Sequence, residues 1–339
     1  MMKLKAVFTF MILASILLLA ACGANNTKKE EAKPREKNMK VRMASWSQPI
    51  TEQTNLLVDE EKGFFKKKGL SMEFIPGAGG GDAIKNIISG KADIAFTDPG
   101  SLFFALDKGE KLKVIYNIYP QNVFNVVSLK QKNITKPEDL KGKKIGVYSL
   151  TSGTRQNLLV LLHQAGLSEK DVTIVETGLL NFAPLMQGQV DATAATDTGL
   201  VLAKEKGLGE VNVLEVKDYL NVPSDVFVVT EKTYKEKKEL LGNFLEAYRD
   251  SADWMIQNPD EAAALAMKHA IDGKDKKRNL EIIKLRNASS ISETTKKAGL
   301  GGLEVDVLQQ AADTYKKLGL IQNDLKMADA VAEDVIPKK

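Results

Sequence analysis

Between Lys40 and Trp46 apolar and polar side chains alternate, with Val41 and Met43 set against Lys40 and Arg42 and an indole at the end, the pattern of a strand with one buried face. The period then lengthens. In ITEQTNLLVDEEKGFFKKKGL, Leu56, Leu57, Phe64 and Phe65 fall at helical spacing, which predicts a helix closed by Gly69. Further strands are expected over Ser71–Ile75, Lys91–Phe96, Lys111–Ile118, Lys143–Ser149 and Asp171–Glu176. Between them lie a helix carrying Leu158, Leu159, Leu161, Leu162 and Ala165 and ended by Gly166, and another around Phe182–Met186. Leu241, Phe244, Leu245, Tyr248, Ala252 and Met255 mark a late core helix, and Asn258-Pro259-Asp260-Glu261 reads as the capped start of the next. Strands alternating with helices imply an α/β chain with mainly parallel sheets covered by helices, in which ligands bind beyond the carboxyl ends of the strands.

Two internal echoes divide this pattern. Gly90-Lys-Ala-Asp-Ile-Ala-Phe-Thr97-Asp98-Pro-Gly100 is matched by Gly188-Gln-Val-Asp-Ala-Thr-Ala-Ala-Thr196-Asp197-Thr-Gly199, one residue longer, each expected as a strand that starts at Asp and finishes in Thr-Asp. Asn122-Val-Phe-Asn-Val-Val-Ser128 is matched by Asp225-Val-Phe-Val-Val-Thr230. Two similar apolar strands bracketing a complete α/β segment imply a chain that leaves one lobe and later returns, with a hinge between. The expected division is lobe I over 40–122 plus 226–339 and lobe II over 123–225.

The N-terminus follows other rules. Lys3 and Lys5 precede an apolar run from Ala6 to Ala20 that ends in Leu19-Ala20-Ala21-Cys22. A membrane span wants about 20 apolar residues, so residues 1–21 read as a signal peptide. The Leu-Ala-Ala-Cys ending resembles the bacterial lipobox, which implies cleavage before Cys22 and lipidation of it. Cys22 is the only cysteine, so no disulfide, thiolate metal site or thiol nucleophile is available elsewhere. The polar stretch after it, within 22–39, has too few large apolar residues for a core and reads as a tether. Removing residues 1–21 takes away two lysines and no acid, so the formal charge falls from +4 to +2. A nearly neutral body with interspersed charges carries no nucleic-acid footprint.

The stretch FIPGAGGGDAIKNI, with Gly79-Gly80-Gly81-Asp82 at its centre, invites a nucleotide reading and fails it. The third glycine of a G-x-G-x-x-G fingerprint is replaced by Asp82, and no Gly-Lys-Ser/Thr follows. What remains is a strand, a glycine loop and a short helix for Asp82 to cap.

The segments GFFKKKGLSMEFIPGAGGGDAIKNIISGKADIAF, KPEDLKGKKIGV and AADTYKKLGLIQNDL resemble the solute-binding proteins of ABC importers, in the branch that carries nitrate, aliphatic sulfonates, taurine and thiamine-pyrimidine precursors. The resemblance implies the periplasmic-binding-protein fold, two lobes joined by two hinge strands, with ligand in the cleft. It implies a monomer lipid-anchored on the extracytoplasmic face of a bacterial cell membrane, with permease and ATPase subunits as partners. It also implies ligand-facing roles for the loop at Gly80 and Asp82, and for Thr151, Ser152 and Thr154 at a lobe II helix start, where the same hydroxyls could instead be helix caps. Trp46 is a candidate to stack on a flat ligand or to pack. Thr97, Asp98, Asp197 and Asp225 stand at strand ends or at the return crossing. If these aspartates face the cleft, a neutral or cationic nitrogen heterocycle is favoured over a sulfonate or nitrate; if they only cap, the sulfonate stays open. His163 and His269 lie on predicted helices without ligands at metal spacing, so neither a metal nor a cofactor is expected. Fungal pyrimidine synthases share the fold, but they are characterised by a cysteine-rich motif that this chain cannot supply, so no enzyme is expected. An adhesive surface lipoprotein, without a hinged cleft, is the remaining class.

Overall fold

The computed structural model describes residues 38–178 and 182–337. The expected signal peptide, Cys22 and nearly all of the expected tether lie outside the described residues, and among the described residues no helix is long and apolar enough to cross a membrane.

Ten strands form two five-stranded sheets. The first contains β1 (Met39–Ala44), β2 (Leu70–Ile75), β3 (Ile94–Thr97), β4 (Leu112–Tyr119) and β10 (Asp225–Thr230), in the order β2-β1-β3-β10-β4. The second contains β5 (Phe124–Leu129), β6 (Lys144–Val147), β7 (Thr173–Glu176), β8 (Ala192–Thr196) and β9 (Val211–Glu215), in the order β7-β6-β8-β5-β9. In both sheets the first three strands are parallel, the fourth runs against them, and the fifth runs against the fourth. Four strands of five therefore point one way, and the reversed strand in each sheet is one on which the chain changes sheet.

Those two crossings lie side by side. The Ser224 N–H donates to the Tyr119 carbonyl at 2.8 Å, and the Val123 N–H to Ser224 Oγ at 3.1 Å. The Asn122 amide reaches the Leu220 carbonyl at 3.0 Å.

The repeated aspartates have one mechanical role in both sheets. Asp93 accepts the Arg42 N–H at 2.9 Å while its own N–H meets the Arg42 carbonyl at 2.8 Å. Asp191 does the same with Lys144, at 3.0 and 2.7 Å. Each carboxylate thus satisfies a backbone donor one residue before pairing with the neighbouring strand, β3 or β8, begins. Arg42 and Lys237 outweigh the effect of burial on Asp93 and hold its carboxyl down at about 2.

One face of the first sheet packs Val41, Met43, Phe96 and Phe227 against Phe244 and Tyr248 of the helix Lys238–Gln257. Phe227 and Phe244 are fully buried, and burial of such a side chain contributes about 1.5–3 kcal/mol. The other face belongs to an apolar cluster that continues into the second sheet, from Ala44, Leu102 and Val226 to Phe124, Val126 and Leu158.

Two local expectations need correction. The segment expected as one helix closing at Gly69 is a string of short turns, Thr51–Gln53, Thr54–Leu57, Asp59–Lys62 and Phe64–Lys67. Gly63 adopts the left-handed conformation (φ 65°) and closes the third turn on the Asp59 carbonyl at 2.8 Å, and the Asp59 carboxylate then accepts the Phe65 N–H at 2.8 Å. Leu56 and Phe65 are buried as their spacing requires, although the helix is not continuous. Asn258 precedes the helix Pro259–His269 but does not cap it; its Nδ2 donates to the Trp254 carbonyl of the preceding helix at 3.0 Å.

Candidate functional site

Where the carboxyl ends of the two sheets face each other, the chain encloses a cavity of ≈ 610 Å³. Trp46 reaches it just after β1, Asp98 after β3, Ser152 and Thr154 after β6, Thr198 after β8, and Asp225 from the first position of β10. Phe124, Tyr148 and Phe182 add apolar and aromatic wall. The Trp46 indole meets Tyr148 edge-on, with centroids 6.1 Å apart.

Asp98 is buried and caps the helix Pro99–Asp107: Oδ1 accepts the Ser101 N–H at 2.8 Å and Oδ2 the Ser101 hydroxyl at 2.7 Å. Two glycines make room for it. A Cβ on Gly80 would lie 2.2 Å from Asp98 Oδ2, and one on Gly153 would lie 3.2 Å from Asp98 Cβ and 2.7 Å from Phe124 Cζ. Burial raises the Asp98 pKa despite the Ser101 bonds.

Asp225 differs. It is equally buried, lines the cavity, and accepts no hydrogen bond from a described side chain or backbone group outside its strand pairing. Burial, then the charges of Asp98 and Glu52, push its carboxyl well above the usual carboxylate range. A buried acceptor without a donor is costly, and this one faces a cavity lined by aromatic rings.

Of the other acids on the wall, Asp272 accepts the N–H and hydroxyl of Thr51, and Glu52 is paired with a cation. Its Oε2 accepts from Arg286 Nε at 3.1 Å and Nη2 at 2.9 Å, and from the Thr198 hydroxyl at 3.0 Å. Arg286 is 1% exposed, on the helix Lys276–Ser289, and its Nη2 also reaches Asp197 Oδ1 at 2.9 Å and Thr198 Oγ1 at 3.0 Å. Burial opposes the guanidinium charge, but Asp197 and Glu52 outweigh it and keep Arg286 protonated.

Of the residues singled out in the sequence, Trp46, Asp98, Ser152, Thr154 and Asp225 line the cavity. The others are placed differently. Thr97 is fully buried behind Asp98, beneath Gly80. Asp197 pairs with Arg286. Asp82 does not cap its helix: Gly79 is the N-cap, its carbonyl accepting the Asp82 N–H at 3.1 Å, and the Asp82 carboxylate pairs with Lys85 at 3.5 Å. Thr151 lies on a second, outward groove, where its carbonyl accepts the Gly81 N–H at 2.9 Å. The glycine loop therefore meets the hydroxyl loop that follows β6: Ser149 Oγ donates to the Ala78 carbonyl, and Tyr148 Oη approaches that of Gly77 at 3.5 Å. The hydroxyls at the helix start serve the loop itself rather than the helix terminus, Ser152 bonding the Ser149 carbonyl at 2.6 Å and Thr154 accepting the Tyr148 N–H at 2.9 Å. Both histidines have ordinary neighbours, His163 the Leu318 carbonyl and His269 Glu61.

Sequence reasoning missed Glu52, Thr198 and Arg286. A signal existed for one of them. Arg286 continues the stripe of Ile282 and Ile283 at helical spacing, which puts a guanidinium on the buried face.

Paired α/β sheets, two adjacent crossings and a cavity at the strand ends define a periplasmic-binding-protein fold. The alkanesulfonate-binding protein SsuA of Xanthomonas axonopodis pv. citri, solved with MOPS, superimposes with a TM-score of 0.68 over 88% of this chain and 99% of that one, at 16% identity. The riboflavin-binding protein RibY of Chloroflexus aurantiacus is 25% identical over 358 aligned positions, covering 99% of both chains. The formylaminopyrimidine-binding protein of Halalkalibacterium halodurans is 25% identical over 256, covering 74% of this chain and 75% of that one. A Saccharomyces cerevisiae 4-amino-5-hydroxymethyl-2-methylpyrimidine phosphate synthase is 23% identical over 233, covering 65% of this chain and 68% of its own. The chain belongs to the NMT1/THI5-like family, which matches residues 50–262. Family and fold together make it a solute-binding protein of the ABC-importer class.

Proposed function

We propose that the cavity captures a small neutral or cationic nitrogen heterocycle with N–H donors, of the aminopyrimidine class, for delivery to an importer. One observation carries this reading: Asp225 presents a buried carboxyl without a donor, beside Asp98, in an aromatic-lined cavity. A ligand amino group would supply the missing donor, and a cationic ligand would favour the ionised carboxyl over the protonated one, giving a charge-assisted bond about twice as strong as a neutral one. A sulfonate or nitrate would meet these carboxyls on the buried wall, where Glu52 and Asp197 already flank Arg286; of the other cations of the lining, Lys206 and Lys274 are exposed and Arg278 donates to the Asp272 carbonyl. The formylaminopyrimidine-binding and riboflavin-binding relatives are named for flat nitrogen heterocycles, which supports the same class.

The protein binds its ligand without converting it. Yeast relatives of the family include a synthase, but this chain has a single cysteine, at the end of the leader. The division is lobe I over 40–122 plus 226–339 and lobe II over 123–225, hinged at the paired crossings, and ligand favours the closed arrangement by touching both lobes. Cys22 carries the lipid that holds the monomer on the outer face of the membrane, next to its permease and ATPase partners.

A thermal-shift screen tests the ligand class, with 4-amino-5-hydroxymethyl-2-methylpyrimidine, riboflavin, taurine, an alkanesulfonate and nitrate as probes. Heterocycle at about 100 times its dissociation constant should add roughly 2.7 kcal/mol of stability, without turnover. The gain should vanish in Asp225→Asn and shrink in Asp98→Asn. Tight sulfonate binding that survives both substitutions would overturn the reading.

A further inference from the structure

Apart from the crossings and the contact of His163 with the Leu318 carbonyl, two groups of polar contacts between the two lobes stand out, one at each end of the cleft. At one end they are mainly backbone, where the glycine loop meets Thr151. At the other they converge on two buried side chains of lobe I, Glu52 and Arg286. Within lobe I, Arg286 is already well provided for: Glu52 takes Nε and Nη2, Ser289 Oγ lies 3.4 Å from Nη1, and the guanidinium sits 5.1 Å over the ring of Tyr119, the last residue before the first crossing. The contacts to Asp197 and Thr198 are additional, and both come from lobe II. Thr198 closes the set by donating to Glu52 at 3.0 Å.

We infer that Arg286 is an inter-lobe latch, held permanently by Glu52 and engaging Asp197 and Thr198 only when the lobes are closed, so that it governs how long a ligand stays rather than which ligand is chosen. This rests on the hinged two-lobe reading above. The geometry separates the two roles. Asp225 and Asp98 face the cavity with acceptor atoms a ligand can use, whereas Arg286 is 1% exposed with its donors directed at Glu52, Asp197, Thr198 and Ser289. A latch of this kind stabilises the closed state whether or not the cavity is filled. It also escapes the usual penalty of a buried ion pair on opening, because Arg286 keeps one carboxylate partner in either state and the departing Asp197 is 29% exposed already.

The decisive variant is Asp197→Ala, which removes the lobe II half and leaves the Glu52–Arg286 pair intact, with Thr198→Val as a second. Inter-lobe distance is read by pulsed electron-spin resonance on the full chain in a Cys22→Ser background, labelled at the exposed positions Lys91 and Lys170. Without ligand, Asp197→Ala should shift the distribution toward longer distances than the parent, and Thr198→Val should shift it in the same direction. With 4-amino-5-hydroxymethyl-2-methylpyrimidine as probe, the dissociation rate of Asp197→Ala should rise on the order of tenfold with little change in association rate. Coincident ligand-free distributions for parent and both variants, with the probe still moving each, would overturn the latch and leave the hinge standing. A single distance in every condition would overturn the hinge and the latch with it. Failure of the probe to bind would count against the ligand class alone, the ligand-free comparison still deciding the latch.

Discussion

Asp98 and Asp225 are both buried acids on one cavity wall, yet their chemistry differs because one has donors and the other has none. The Asp225 carboxyl is raised first by burial and then by its acidic neighbours, so the folded state binds a proton that the unfolded chain releases. The consequence for stability has a definite sign. Above the folded-state value, Asp225 opposes folding; as pH falls toward the unfolded value of about 4, that opposition disappears. Asp225→Asn should therefore raise the unfolding free energy of the ligand-free protein at pH 8 by roughly 1–3 kcal/mol, the cost of one buried unsatisfied group, and the advantage should shrink as pH approaches 4. The same substitution should abolish heterocycle binding. Calorimetry of both proteins from pH 8 to pH 4 checks this, and a variant less stable than the parent at pH 8 would contradict it. Glu61 and Asp93, each held near 2 by cationic partners, act oppositely: their stabilisation is complete above about 4.5 and is lost as pH falls through 2 in both proteins alike.

The glycine-rich helix start owes its composition to close approach. Gly79 takes a backbone conformation (φ 141°) that side chains rarely adopt, against the Thr151 carbonyl, and Gly80 lies over the carboxylate of Asp98. Gly80→Ala should push Asp98 off its cap, costing about 1 kcal/mol for the cap and a further 1–3 kcal/mol for overpacking, with ligand affinity falling at least tenfold. Gly90→Ala is the control. Gly90 is left-handed (φ 72°) with open space around its would-be Cβ, so that change should cost about 1–2 kcal/mol of stability and leave affinity unchanged. Equal losses of affinity in the two variants would show that the glycine loop acts only through stability.

At the scale of the molecule, the two sheets repeat one topology, and the chain enters one and re-enters the other on the reversed strand. This confines the covalent connection between the sheets to two mutually hydrogen-bonded crossings, as the proposed hinge requires. The apolar cluster from Leu102 to Leu158 and the contacts of Arg286 with Asp197 and Thr198 both join the two sheets' flanking elements. Anchoring is a separate matter. An acyl chain contributes about 0.8 kcal/mol per buried CH₂, and stable attachment takes more than one chain. Cys22→Ala should leave the protein unprocessed or release it from membranes, and fractionation indistinguishable from the parent, with normal processing, would refute the lipid anchor.

Local order was legible in the amino-acid sequence because the forces that make strands and helices act over a few residues. Alternation at Lys40–Trp46, the repeats ending in Thr-Asp, and the matched strands at Asn122 and Asp225 each report burial period or duplication without reference to distant residues. Where a glycine interrupted the period, as at Gly63, pattern alone misjudged continuity, since a left-handed residue can end a turn while keeping the same side chains buried. Tertiary structure alone decided what each aspartate does. Asp98 and Asp197 occupy equivalent places in the repeat, but Asp98 meets a serine three residues away, whereas Asp197 meets an arginine 89 residues away, which is itself paired with a glutamate 234 residues distant. The charge environment that separates a carboxylate capped by a serine from one paired with a buried arginine is assembled only when the chain crosses between sheets and back, because electrostatics acts through space and carries no mark of sequence distance.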